Sequence, residues 1–244
     1  MILNEKNDVF GYWKIEGYDW LKDRRNGFFS EIPFVHSCNI IPDELVLFGN
    51  HKKKNNLENA HKKSVHFFEH DYLFNPTIES KKKLTAQLEY FKQYGAVILP
   101  DCSVYVNLPL PEQLHQVYKS RSVGVFLEHN GVKIIPCVRW GDEYSYNFCF
   151  DGIEKNALIA IGTLSALGTM EDRNYFVKGF IEMVKRIEPK GILVYGHLPD
   201  ECSYICRKNS IFVKEYLTEF RKYRIEKKEN EHQYELFSLN RSND

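Results

Sequence analysis

Short apolar runs recur along this chain, each separated from the next by a segment that is polar, turn-rich or helical in its periodicity. That alternation constrains the fold more than any other feature. Runs at 45–48, 65–68, 96–99, 133–138 and 158–161 read as strands, as does "GILVYGH", which ends at His197. They are continuous rather than alternating, as a strand buried on both faces requires. Strands interleaved with helices imply an α/β fold with a mostly parallel sheet. The count falls short of the eight strands that close a TIM barrel. Further strands at 34–35, 146–150 or 211–213 are candidates to make up the number. The first expectation is therefore a distorted or incomplete TIM-barrel-like fold, and the second an open doubly wound α/β sheet.

The helical segments carry their own marks. "NPTIESKKKLTAQLEYFKQYG" puts Leu84, Leu88 and Phe91 on one face, with Thr77 as cap, Glu79 or Ser80 in the first turn and Gly95 at the end. The stretch after Pro111 reads two ways: a hairpin around Asn130-Gly131, or a helix from Pro111 to Asn130. The helix is preferred because it keeps the strand–helix–strand order and gathers Leu114, Val117, Tyr118 and Val125 on one broad face. "DRNYFVKGFIEMVKRIEPKG" is a second clear helix, with Phe176, Phe180, Met183, Val184 and Ile187 inward. "NSIFVKEYLTEFRKYR" is expected to close the fold as a helix. The organisation that follows is an aromatic arm packed on the domain (1–42), a single α/β domain (43–225) and a charged tail (226–244).

Lysine plus arginine (33) equals aspartate plus glutamate (33), so no global field draws in nucleic acid. One local exception is the basic stretch between Lys52 and Lys63, which reads first as a solvated loop and second as a nucleic-acid or phosphate patch. No apolar run is long enough to span a bilayer, and "MILNEKNDVFGYWK" has charges where a signal peptide needs an apolar stretch. A cytoplasmic protein is expected, its six cysteines free thiols. They form no C-x-x-C pair, and the spacing of Cys202 and Cys206 does not make a zinc site.

In either architecture ligands bind at the C-terminal ends of parallel strands, where loops converge. The residues that follow the strands are Glu69, His70 and Asp71; Asp101, Cys102 and Ser103; Arg139, Trp140 and Asp142; Thr163 and Ser165; and His197. Carboxylates such as Asp101 and Asp142 suit general acid–base work, and Asp71 and Asp101 suit a divalent metal. Arg139 can hold an anion bidentately, Trp140 can stack a ring, and His197 can shuttle a proton. Ser103 and Thr163 offer hydroxyls to a ligand, or cap turns. Cys102 has no activating partner close in sequence. P-loop, dinucleotide, H-E-x-x-H and G-x-S-x-G motifs are all missing.

The blocks "HFFEHDYLF", "LPDCSVY", "LPEQLHQVYKSRSVG", "VKIIPCVRWGDEYSYNFCFDGI", "ALIAIGTLSALG" and "FVKGFIEMVKRIEPKGILVYG" together resemble an uncharacterised family of bacteria and phages, domain of unknown function 4417. The resemblance covers residues 43–197. Its first block usually reads like D-D-Y-R-F-E; here Asp71, Tyr72 and Phe74 match, while His70, Leu73 and Asn75 depart. That departure weakens an acid-pair metal site. The P-D-F-S block keeps Asp101 and Ser103, with Cys102 at the aromatic position. Arg121, Trp140, Asp142, Ser145, Phe150, Gly152, Tyr195 and Gly196 stand at further motif positions, which adds Arg121 and Ser145 to the ligand-binding candidates. The resemblance implies a phage or mobile-element origin and no established activity.

Two functions are expected from these parts. One is a hydrolase or transferase acting on a nucleotide or nucleic acid, with Asp101, Asp142 and His197 catalytic and Arg121 or Arg139 on a phosphate. The other is a non-catalytic binding protein that captures a nucleotide signal or blocks a host protein, in an anti-defence or host-takeover role.

Overall fold

The computed structural model describes residues 30–164, 166–225 and 227. Seven strands form two sheets, and every pairing between strands is parallel. The first sheet holds β1 (Glu44–Leu47), β2 (Lys63–His66), β3 (Ala96–Ile98) and β4 (Ile134–Ile135), side by side in chain order. The second holds β5 (Leu158–Gly162), β6 (Gly191–Tyr195) and β7 (Phe212–Tyr216), again in chain order. Neither sheet shows the reversal of order that defines a doubly wound fold. The molecule is a mixed α/β protein with parallel sheets.

The two sheets meet at an isolated parallel bridge, Cys137 opposite Ala160. Backbone bonds run from Val138 N–H to the Ala160 carbonyl (2.9 Å) and from Ala160 N–H to the Pro136 carbonyl (2.8 Å). Their inner faces share one core. Leu158, Ala160, Leu193, Tyr195 and Tyr216 pack in the same cluster as Leu45, Val65 and Val97. The alternate residues Ile159, Ile161, Ile192 and Val194 turn the other way. Successive side chains point to opposite faces of a strand, so burial on both sides explains the continuous apolar runs.

Three long connections are helical. Helix α5 (Leu110–His129) follows β3, as the helical reading of that stretch expects, with Pro111 in its first turn. Helix α6 (Met170–Ile187) follows β5 and buries Phe176, Phe180, Met183, Val184 and Ile187. It opens on a capping box in which Thr169 and Asp172 satisfy each other's backbone N–H groups. Helix α7 (Asp200–Lys208) follows β6 and tucks Cys202 and Cys206 into the core. Earlier in the chain, α1 (Lys54–Leu57) is a single turn.

The structure corrects several expectations. The single helix expected around 77–95 is three short ones: α2 (Asp71–Ile78), α3 (Lys81–Thr85) and α4 (Leu88–Phe91). The chain is extended at Ser80, whose Oγ accepts the Lys83 N–H, so Ser80 and not Thr77 caps the middle helix. Residues 212–216 are strand β7, which takes up the candidate strand at 211–213 and replaces the start of the expected closing helix; helix resumes only at 219. Residues 34–35 contribute one bridge, Val35 opposite Ile153, and 145–147 form a 3-10 turn where a strand was a candidate. The arm before residue 30 lies outside the described residues, as does the tail from 228. From Ser30 to Pro42 the chain runs along the sheets, held by bonds such as Cys38 N–H to the Ile134 carbonyl (2.9 Å).

Candidate functional site

The ends of β3, β4 and β5 open on a cleft of about 380 Å³. Its walls come from three places. The loop after β3 supplies Val104, Tyr105, Val106 and Asn107; the segment after β4 supplies Arg139, Trp140 and Gly141; the first turns of α6 supply Glu171, Asp172, Tyr175 and Phe176. Gly162, at the end of β5, forms part of the floor. A Cβ there would lie 2.8 Å from Phe68 Cδ1 and 3.4 Å from Asp101 Oδ2, so only glycine lets β5 close on both groups.

Asp101 and Arg139 form an ion pair beneath the cleft, Nη1 to Oδ2 at 3.2 Å, with side chains 12 % and 18 % exposed. The Cys137 thiol donates to the other carboxylate oxygen at 3.5 Å. Burial raises the Asp101 carboxyl above its usual range, and Arg139 and the Cys137 thiol oppose that rise. Arg139 is in turn held firmly charged by Asp101. A charge taken out of water is tolerated when it is paired and hydrogen-bonded, and this pair meets both conditions.

The remaining candidates from the sequence have mostly structural employment. Asp71 receives the Ser103 N–H at 3.0 Å and the Ser103 hydroxyl at 2.8 Å, one on each oxygen. It staples the loop after β3 to the start of α2. Asp71 is thus engaged by Ser103, and Asp101 by Arg139 and Cys137. Among the described residues no group of three or more His, Cys, Asp or Glu side chains is placed to hold a metal ion. Asp142 makes a turn, its Oδ1 accepting the Tyr144 N–H at 3.2 Å. The fully buried Ser145 donates its hydroxyl to the Asp142 carbonyl and receives the Gly141 N–H. Thr163 receives the His197 N–H at 3.2 Å and ties two strand ends together. The His197 ring is 67 % exposed and pairs with Glu215 at 3.0 Å, away from the cleft. Ser165 lies outside the described residues.

Arg121 is fully buried on α5 and donates to the Cys137 carbonyl at 2.8 Å and the Asp151 carbonyl at 3.5 Å. It braces the chain behind β4 and does not reach the cleft. Trp140 does reach it, but its ring is mostly spent on Gly179, Phe150 and Phe176. The Cys102 thiol is buried and pushed far up by that burial, so it is a packing group. In the basic segment, Lys52 sits over the Tyr90 ring at 4.9 Å and Lys63 pairs with Glu44 at 3.7 Å.

Listing strand ends thus finds Asp101, Arg139 and Trp140 and misses Tyr105, Asn107, Glu171 and Tyr175. Three of the four carry no mark in the sequence. Glu171 had one: an acidic pair next to a helix start, which reads more readily as capping.

A family model, Domain of unknown function (DUF4417), matches residues 25–217. The "Gene 1 protein" of Mycobacterium phage L5 is 32% identical over 168 residues, covering 69% of this chain and 72% of the phage protein. The "Gene 1 protein" of Mycobacterium phage D29 is 31% identical over 155 residues, 64% of this chain and 55% of that protein. No solved structure matches. No helix among the described residues is long and apolar enough to cross a membrane. The chain therefore belongs to the DUF4417 family and is similar to these two phage proteins.

Proposed function

We propose that this protein is a non-catalytic binding protein that captures a small, ring-bearing molecule, such as a nucleoside or nucleotide signal, in the cleft at the ends of β3, β4 and β5. The observation that carries the reading is the cleft's combination of size and lining: about 380 Å³, with Tyr105, Trp140, Tyr175 and Phe176 on its walls. Small-molecule sites typically begin at about 300 Å³ and are largely apolar and aromatic, with a few placed polar groups. Arg139 and Asn107 are such groups here.

Binding is favoured over turnover because the reactive side chains are occupied. Asp101 sits below Arg139, Asp142 and Ser145 hold a turn, His197 faces outward, and Cys102 is inert. Catalysis needs a nucleophile or base within hydrogen-bond reach of a bound substrate. The enzyme reading retains one support, a buried carboxyl with a raised pKa next to the cleft. A barrel-like closure of the two sheets is part of the same proposal. It is supported by the uninterrupted chain order of parallel strands and by their common core. A reducing, cytoplasmic setting is supported by six free cysteines, five of them buried.

The test is a thermal-shift and calorimetric screen against nucleosides and nucleotides, run beside a substitution at Ala166, a further residue of the cleft lining: Ala166→Trp puts an indole into the cleft. The expected result is a ligand that stabilises the wild type, fails on the variant, and is recovered unchanged by chromatography. Recovery of a converted product that Asp101→Asn no longer makes would replace binding by catalysis.

A further inference from the structure

The charge around the cleft says more about its ligand than its size does. Arg139 is the only cation among the described residues that line the cleft, and Asp101 balances it from below. Two carboxylates, Glu171 and Asp172, stand on the opposite wall. The Tyr175 phenol lies beside them, its oxygen 3.4 Å from Glu171 Oε1. That phenol is raised above its usual value chiefly by the Glu171 charge, with smaller contributions from Asp142 and Glu143. The lining therefore carries two carboxylates against one cation, and that cation is already paired. Arg173, the next cation along α6, is bound to Glu201 at 2.6 Å.

A helix N-terminus attracts anions by itself. Here that attraction is already answered, because Asp172 Oδ2 takes the Thr169 N–H (3.1 Å) and the Thr169 hydroxyl (2.7 Å). A phosphate entering this cleft would meet a neutralised arginine and two carboxylates. An ammonium or guanidinium would meet those carboxylates and the faces or edges of aromatic rings. Aromatic walls with acids at the mouth are the recurrent means of holding an organic cation.

We propose that the cleft selects an organic cation, an ammonium or guanidinium group carried on an apolar body, and rejects phosphorylated ligands. The inference rests on the binding reading of the same cleft and puts an organic cation in place of the nucleotide named there; a bound nucleotide would uphold that reading and overturn the inference. The group can arrive on a free small molecule or on a lysine or arginine side chain of a protein, and the experiment separates the two sources.

The full chain is titrated calorimetrically with choline, with a short peptide carrying trimethyllysine or arginine, with adenosine, and with adenosine 5′-monophosphate. Wild type, Glu171→Gln and Ala166→Trp are compared, each first shown to be folded by circular dichroism. The expected result is binding of a cationic probe, weakened about tenfold by Glu171→Gln and abolished by Ala166→Trp, since one carboxylate charge near a surface contributes on the order of 1 kcal/mol. Preference for choline assigns a free small cation, and preference for the peptide assigns a side chain. Tighter binding of the monophosphate than of adenosine, improved by Glu171→Gln, would overturn the cation inference and keep the cleft as a site. Binding that survives Ala166→Trp, or no binding by any probe, would remove the cleft and the inference together.

Discussion

His66 stands at the end of β2 with no exposed surface, its ring 4.5 Å from that of Tyr195. Its Nδ1 accepts the Phe68 N–H at 3.2 Å, which leaves the proton on Nε2, a buried atom with no hydrogen-bond partner among the described residues. Burial, aided by Lys222, lowers its pKa from 6.5 to about 3. The unfolded chain takes up a proton near pH 6.5 while the native state stays neutral until about pH 3. Acidification through that window therefore favours the unfolded chain, by at most about 1.4 kcal/mol per pH unit. Urea melts at stepped pH should show this loss in the wild type and a flatter profile in His66→Phe. The Asp101–Arg139 pair makes a second prediction. Arg139→Met strands a buried carboxylate and should lower the unfolding free energy by about 3–5 kcal/mol. Asp101→Asn in the same background should recover part of it. At this scale the sequence pointed to the right neighbourhood for Asp101 and Arg139, because a strand end fixes where a residue stands. It could not show that they meet each other.

Helix α6 was legible because a stripe of large apolar residues over five turns has few other uses; α5, buried all round from 119 to 127, has no such stripe, also read as a hairpin, and was reached through the strand–helix–strand order. The 71–91 region was not legible, since Leu84, Leu88 and Phe91 keep helical spacing across the break at 86–87, and the break at Ser80 falls just ahead of them. Strand β7 was legible only as a candidate at 211–213, because it has a single buried residue, Tyr216, and lacks the apolar run that marked the others. Glu171 and Tyr175 reach the cleft from a helix, so a search of strand ends passes them by. Two element-level predictions follow from α6. Thr169→Ala removes its cap and should cost about 1 kcal/mol in urea denaturation. Gly179→Ala would place a methyl 2.1 Å from Trp140 Cδ1, on a ring already wedged against Phe150 and Phe176. The indole must shift, with a loss of about 1–3 kcal/mol. Because Trp140 also lines the cleft, the same variant should weaken any ligand bound there, read by calorimetry.

Across the whole molecule, the last strand reaches back to the chain that leads into the first. The Tyr216 hydroxyl and the Lys214 ammonium both donate to the Pro42 carbonyl, each at 2.6 Å. Tyr216→Phe should lower stability by about 1 kcal/mol, with Lys214 still in place. Hydrogen exchange should show β1 and β7 opening more readily together. These bonds join residues 172 and 174 positions apart. A ribosome adding about 5–20 residues per second would leave Pro42 waiting roughly 10–35 s for its partners. The first sheet thus spends its early life with one flank bare, and a transcript cut short before residue 212 would release a chain that can never cover it. Ribosome-stalled chains ending before and after β7 should differ sharply in protease resistance, the shorter ones being digested through β1.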